Sequence, residues 1–236
     1  MTNQTISDSQ RRLNEELHQS RPDFGSRGGA GNDSVIRAIR RYQELGLIAS
    51  ILDYGTGKGT FPENLKQHCP DLKVSAYDPA VEKFKKKPSR KFDLVTSFDV
   101  LEHVERSSVH AVLEEIKEMS SKLVFLQIDL QPAVKRLSSG RNAHIMLAPS
   151  DWWIAQVSSV FTVQGSFPIF HINGEIQKVA IVAASNYEYS GLVWSLLMKL
   201  QNNPMKITGG YLGSKSPSNQ NTKINSAKSK EQKNKS

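Results

Sequence analysis

The residue types best suited to chemistry lie in one short run, Ile51-Leu-Asp-Tyr-Gly-Thr-Gly-Lys-Gly59. Glycines at 55, 57 and 59 alternate with other residues. Such spacing lets the backbone turn sharply and lets a ligand approach without a Cβ in the way. The run follows an apolar stretch of strand type and precedes a helical pattern with Pro62 in its first turn, the setting in which a glycine turn holds a nucleotide. Asp78 stands 23 residues after Gly55, at the end of the next strand-like stretch. A carboxylate there can accept hydrogen bonds from both ribose hydroxyls of a nucleoside. The structural alternative is a tight turn beside a surface Asp.

The spacing is GxGxG, whereas a dinucleotide site prefers GxGxxG, whose helix N-terminus faces a pyrophosphate. Asp53 precedes the first glycine by two residues. An acid there repels phosphate but suits a ligand that carries an amino group and a sulfonium. Those features point to S-adenosylmethionine.

Further candidates follow later strands. Asp129 ends the fourth strand-like stretch, where a base, a metal ligand or a capping group would each fit, capping being the commonest fate. His144, in Gly140-Arg-Asn-Ala-His144, lies in the loop after it. It is read either as a base or orienting group for an acceptor, or as a loop histidine bonded to backbone. No metal site is expected, because His103 and His110 match no HExxH spacing and read as a solvated helix face. His18, His68 and His171 read as incidental. Cys69 is the single cysteine, which excludes an internal disulfide and a CxxC site. The chain lacks P-loop, GxSxG and zinc-ligand signatures. Lys83 to Lys91 carries six bases in nine positions. It reads as a solvated turn rather than a phosphate patch.

These groups need a scaffold, and the pattern supplies one. Helical spacing recurs from Asp33 to Leu45, with Gly46 as its stop. Apolar strands are expected at 51–54, 73–77, 92–98 and 122–128, and helices after the glycine turn, with Pro62 in the first turn, at 107–120 and near 150–160. Phe161-Thr-Val-Gln is strand-like, and 169–184 reads as a hairpin turning at Asn173-Gly174. A last helix is expected at 192–200. Strands alternating with helices predict an α/β fold: a mostly parallel sheet, helices on both faces, and a C-terminal antiparallel hairpin. Three segments are expected: an N-terminal arm at 1–32, mobile or acting as a lid; a folded domain at 33–203; and a disordered basic tail at 204–236.

Residues 51–59, with Tyr77-Asp78-Pro79 and Phe92-Asp-Leu-Val-Thr-Ser-Phe-Asp-Val-Leu-Glu-His-Val104, resemble a class I S-adenosylmethionine-dependent methyltransferase of the small-molecule branch. The resemblance covers roughly residues 33–184 and implies a Rossmann-like methyltransferase fold. It implies that Asp53, Gly55, Thr56 and Gly57 hold the methionine part of the cofactor, and that Asp78 binds the ribose. Pro79 would lie beside the adenine, and Phe98 and Asp99 would face the cofactor or the substrate. Pro149-Ser-Asp-Trp-Trp153 is similar to a pattern that follows an acceptor-contacting His, which favours His144 as a catalytic group beside Asp99 and Asp129. One of Trp152 and Trp153 would be core and the other would line the acceptor pocket. Only 13 residues separate Asp78 from Phe92, so the sheet should be one strand shorter than usual.

Charge sharpens the choice of partner. The chain has 236 residues and a formal charge of +8. Residues 201–236 hold +6 of it, residues 1–30 are neutral, and residues 31–200 hold +2. A basic excess confined to a tail bears on tethering and solubility, and nucleic-acid binding through that tail is not the favoured reading. The first residues lack an apolar signal core, and the longest uncharged stretch, 152–174, is too polar to span a bilayer. A cytoplasmic location is therefore expected, with no membrane partner. The expected activity is methyl transfer to a hydroxyl or amine of a small-molecule acceptor. An RNA or protein methyltransferase tethered by the tail, and a non-catalytic cofactor-binding module, are the alternatives.

Overall fold

A computed structural model of the chain describes residues 4–26 and 31–191. The helix expected at 192–200 and the tail expected at 204–236 lie outside the described residues, as do residues 1–3 and 27–30.

The element order is α1 (Asp8–Ser20), α2 (Gly31–Glu44), β1 (Ser50–Tyr54), α3 (Thr60–His68), β2 (Lys73–Tyr77) and β3 (Phe92–Phe98). It continues with α4 (Val109–Met119), β4 (Ser120–Asp129), α5 (Ser150–Ser158), β5 (Thr162–Phe170) and β6 (Ile176–Ala184). The six strands form one sheet in the order β2-β1-β3-β4-β6-β5. Pairing is parallel from β2 to β4, whereas β6 runs antiparallel to both β4 and β5. The chain leaves β1 to one side for β2 and returns to its other side for β3. The carboxyl ends of β1 and β3 therefore flank a switch point, where open α/β sheets bind ligands.

The central strands are buried on both faces, and neighbouring side chains divide between two layers. Leu52, Val95 and Val124 face α4 and α5, packing with Val112, Leu113, Ile116 and Trp153. Ile51, Leu94 and Leu123 face the other way, against Ile36 and Ile39 of α2 and Phe61 and Leu65 of α3. Trp153 is fully buried. Trp153→Ala should cost about 3–5 kcal/mol of stability in urea denaturation, and a loss below about 1 kcal/mol would show that the site can collapse around the gap.

The lysine-rich stretch between β2 and β3 holds only a 3₁₀ turn, Glu82–Phe84. It leaves no room for another strand, as expected. Its cations are spread over local partners: Lys85 pairs with Glu82 at 2.7 Å, Lys87 with Glu115 at 2.7 Å, and Arg90 lies over the Phe92 ring. The hairpin turns at Gly174, which has φ +87°. Its outer strand, β5, is an edge strand and accordingly tolerates Pro168.

One local expectation changes. Helix α2 begins at Gly31 rather than Asp33, so Asp33 sits in the first turn, where an acid still complements the helix dipole. The described part of the N-terminal arm, expected as a mobile arm or a lid, holds α1 and a turn. Ser7 caps α1 by accepting from the Gln10 N–H. Leu17 of α1 is buried against Leu137 and Ala143 of the loop that follows β4.

Candidate functional site

Strand β1 delivers Asp53 and Tyr54 to the edge of the sheet, and the chain then turns through glycines with positive φ, +75° at Gly55 and +56° at Gly57. Both positions are also too crowded for a side chain. A Cβ on Gly55 would lie 2.3 Å from Val100 Cγ2, and one on Gly57 would lie 2.5 Å from the Gly25 carbonyl oxygen. The Gly55 and Thr56 N–H groups donate to the Tyr77 carbonyl, which ties the turn to the end of β2. Asp78 follows immediately and is buried. Its Oδ2 accepts from the Gly57 N–H at 2.9 Å and its Oδ1 from the Ala80 N–H at 2.9 Å. A carboxylate has about four acceptor directions, so each oxygen keeps one for a ligand. Burial raises the Asp78 pKa, while His18 and the two backbone donors oppose the rise. Asp53 is buried as well and accepts from Thr96 Oγ1 at 3.0 Å.

Over this turn lies a cavity of about 400 Å3, within the range of small-ligand pockets. Asp53, Gly55, Thr56, Gly57, Asp78 and Pro79 line one end of it. Phe98 and Asp99 line the middle, and Asp129, His103, His144 and Lys178 the far end. The residues expected to hold the cofactor or to act in catalysis thus border one space. Trp152 does not: it packs beside the core with Arg106 over its ring, so neither tryptophan lines the pocket.

The far end is a network of charge. Asp99 adopts φ +53°, a left-handed conformation tolerated by Asp better than by most side chains. Its Oδ1 accepts from Gln127 Nε2 at 3.2 Å and its Oδ2 from Lys178 Nζ at 2.8 Å. Lys178 also lies 3.5 Å from Asp129 Oδ2, because β4 and β6 place Asp129 opposite Lys178 in register. Asp129 Oδ1 accepts from the Gln131 N–H, so the residue does cap backbone, in a loop turn rather than at a helix. Glu102, fully buried beneath it, accepts from the Asp129 N–H through Oε1 at 3.1 Å. Burial, reinforced by the Asp99 carboxylate, pushes the Glu102 pKa well above its usual value.

Two histidines that sequence spacing left aside, His103 and His18, lie here with His144. His103 is not on a solvated helix face. It sits half-buried in the 3₁₀ turn Leu101–His103, with Nδ1 2.8 Å from the Ala143 carbonyl. Burial, with His144 nearby, lowers its pKa to about 4, so it is neutral. His144 lies 4.9 Å away, ring centroid to centroid, with Nδ1 against the Gln131 carbonyl. It is therefore both backbone-bonded and at the cavity wall. His18 is not incidental either. It lines the cavity from α1, within electrostatic reach of Asp78, and burial lowers its pKa.

Phe24 bridges these groups, its ring edge-on to His103 at 5.5 Å and tilted to His18 at 4.6 Å. The Gly25 carbonyl accepts from the Lys58 N–H at 2.9 Å, and Lys58 Nζ donates to the His18 carbonyl. No short-range pattern could have revealed these contacts, because α1 precedes the glycine turn by some 40 residues in sequence. Cys69 is buried at the end of α3 and takes no part.

A family model described as a methyltransferase domain matches residues 8–162, more than half of the chain and inclusive of α1. None of the curated proteins matches the sequence. Among solved structures, the fold is similar to that of the N-methyltransferase NodS from Bradyrhizobium japonicum WM9, crystallised with S-adenosyl-L-homocysteine. The identity is 12%, the TM-score 0.52, and the alignment covers 74% of this chain and 98% of that one. It is also similar to magnesium protoporphyrin IX methyltransferase (ChlM) from Synechocystis PCC 6803 with bound SAM. There the identity is 13%, the TM-score 0.51, and the coverage 77% and 99%. At such identities the likeness is one of fold, the Rossmann-like sheet with its reversed last strands. With the family match over α1 through α5 and a glycine turn facing a buried acid, this chain belongs to the methyltransferase domain family.

Proposed function

We propose that the protein transfers a methyl group from S-adenosylmethionine to a hydroxyl or amine of a small-molecule acceptor. The observation that carries this reading is the pairing of the crowded glycine turn with Asp78, whose buried carboxylate is held by the Gly57 and Ala80 N–H groups and opens on the cavity. The amino-acid end of the cofactor lies along 55–57 with Asp53 facing its ammonium. The ribose lies on Asp78, and the adenine beside Pro79. Methyl transfer is an in-line displacement, so the protein's main task is to align donor and acceptor. The acceptor then enters from the end walled by Asp99, Asp129 and His144. Those residues hold and orient it, and a base is required only for an acceptor of high pKa.

The N-terminal segment acts as a lid in this reading. Two contacts clamp it to the glycine turn, Gly25 to Lys58 and His18 to Lys58, while Phe24 packs on His103. A site covered by its own chain favours a small acceptor over a polymer. Phe24→Ala removes an aromatic contact worth about 0.5–1.5 kcal/mol, so the Kd for S-adenosylhomocysteine should rise by up to roughly tenfold. An unchanged Kd would leave the lid without a role in binding.

Two measurements test the whole reading. Titration calorimetry should show binding of S-adenosylhomocysteine and none of NAD; the reverse would overturn it. Labelled-methyl transfer into a cell extract should mark a low-molecular-weight product. A labelled RNA or protein would replace the small acceptor, and tight cofactor binding with no labelled product would indicate a binding module. Among the described residues no helix is long and apolar enough to cross a membrane.

A further inference from the structure

The far end of the cavity contains a constellation that methyl-donor binding does not use. One carboxylate oxygen of Glu102 and one ring nitrogen each of His103 and His144 lie within 4.8 Å of one another. Small side-chain movements bring such atoms to the spacing of about 3–4 Å required of ligands at ~2.1 Å from a cation. Two further observations point to a ligand. Glu102 is fully buried, its Oε1 is engaged by the Asp129 N–H, and its Oε2 has no hydrogen-bond partner. An orphaned buried carboxylate oxygen is costly unless something binds it. In addition, each histidine turns Nδ1 to a backbone carbonyl, His103 to Ala143 and His144 to Gln131. A neutral imidazole that donates through Nδ1 keeps its lone pair on Nε2, the arrangement that typically orients a metal-ligating histidine.

We propose that Glu102 Oε2, His103 Nε2 and His144 Nε2 bind a divalent first-row transition cation of the Zn2+ or Mn2+ type. The 3₁₀ turn and the loop after β4 hold the three together, since the Met146 N–H donates to the Glu102 carbonyl at 3.0 Å and His103 bonds Ala143. Two imidazoles and one carboxylate favour such cations over Mg2+ or Ca2+, which prefer all-oxygen shells. Asp99 and Asp129 lie alongside, with Lys178 as their shared cation, so the surroundings also favour positive charge. Three protein ligands leave coordination positions open toward the cavity, as in catalytic rather than structural sites.

The role of the cation rests on the methyltransferase reading. It takes the acceptor hydroxyl as a ligand, which lowers that hydroxyl's pKa and fixes its oxygen for in-line attack. The O–CH3 bond forms as the S–CH3 bond breaks. The sulfur keeps the electron pair as a thioether, and the hydroxyl proton passes to water. The acceptor class is thereby narrowed to hydroxyl compounds, with a second oxygen next to the first able to fill another open position.

The test is calorimetric titration of metal-stripped full-length protein with Zn2+, Mn2+ and Mg2+ separately. S-adenosylhomocysteine affinity is measured on the same samples. Zn2+ or Mn2+ should bind one per chain and more tightly than Mg2+. Glu102→Gln, which keeps shape, and His144→Ala, which truncates a half-buried loop side chain, should each weaken binding at least tenfold. His110→Ala, at an exposed histidine on α4, should leave it unchanged. Absence of stoichiometric binding, or binding undiminished in both site variants, overturns the proposal. Metal binding without S-adenosylhomocysteine binding would keep the cation site and remove the methyltransferase reading, and the opposite result would do the reverse.

Discussion

Asp78→Ala should raise the Kd for S-adenosylhomocysteine by roughly 100-fold, a loss of about 3 kcal/mol, as read by titration calorimetry. Two losses contribute. The first is direct: hydrogen bonds from ribose hydroxyls to a buried carboxylate are charge-assisted and worth about 1.5–3 kcal/mol. The second is structural. The same carboxylate accepts from the Gly57 N–H and the Ala80 N–H, so its removal strips the glycine turn of one of its anchors at the end of β2 and leaves the Tyr77 carbonyl as the other. Asp78→Asn separates the two effects. Its amide can satisfy only one of the two backbone donors and offers one acceptor oxygen, so its Kd should fall between wild type and Ala. A Kd unchanged in both variants would remove Asp78 from the cofactor site.

Gly57→Val should abolish cofactor binding through backbone geometry rather than through a lost contact. The residue has φ +56°, where a β-branched side chain is strongly disfavoured. Its Cβ would lie 2.5 Å from the Gly25 carbonyl oxygen and 2.8 Å from Gly25 Cα. Both are backbone atoms and cannot swing aside as a flexible side chain would. The turn must therefore deform, or the segment carrying Phe24 must lift from it. Deformation would also pull the Gly57 N–H away from Asp78. S-adenosylhomocysteine should give no measurable heat with this variant, while circular dichroism should show the sheet intact. Wild-type affinity would show that the ligand does not approach the 55–57 backbone. Gly46→Ala is a useful contrast, because that glycine also has positive φ but nothing lies within 4 Å of the added Cβ. It should cost a little stability and leave the Kd alone.

The N-terminal segment changes how the cavity is understood. Before its contacts are considered, the site is a cleft at the carboxyl ends of β1 and β3 that any ligand could enter. With α1 and Phe24 in place, the cleft has a roof made of the chain's own residues. Leu17 anchors that roof to Leu137 and Ala143, in the loop that carries His144. The two ends of the cavity are thus joined through one short segment, and loosening it should disturb both.

Local signals made much of this protein legible without coordinates. Alternating strand and helix periodicities, Asn173-Gly174 in the hairpin and the short Asp78-to-Phe92 interval led to a mostly parallel sheet of reduced size with reversed last strands. Ile51–Gly59 and Asp78 marked the glycine-turn end of the cavity, because a glycine turn and a strand-end acid act through backbone geometry, which short-range spacing encodes. The far end of the cavity is different in kind. Glu102 and His103 are neighbours in sequence, but His144 joins them only because the loop after β4 folds back to place Ala143 against the His103 ring. Lys178 reaches Asp99 and Asp129 only through the antiparallel register of β6 on β4. His18 arrives from α1 and Phe24 from the turn after it, a segment that the sequence presented as an arm, since Leu17 buries against loop residues more than 100 positions away. Spacing therefore determined the sheet and the glycine turn, while side-chain contacts across long loops, set by packing, decided the roof, the charge network and the Glu102–His103–His144 cluster.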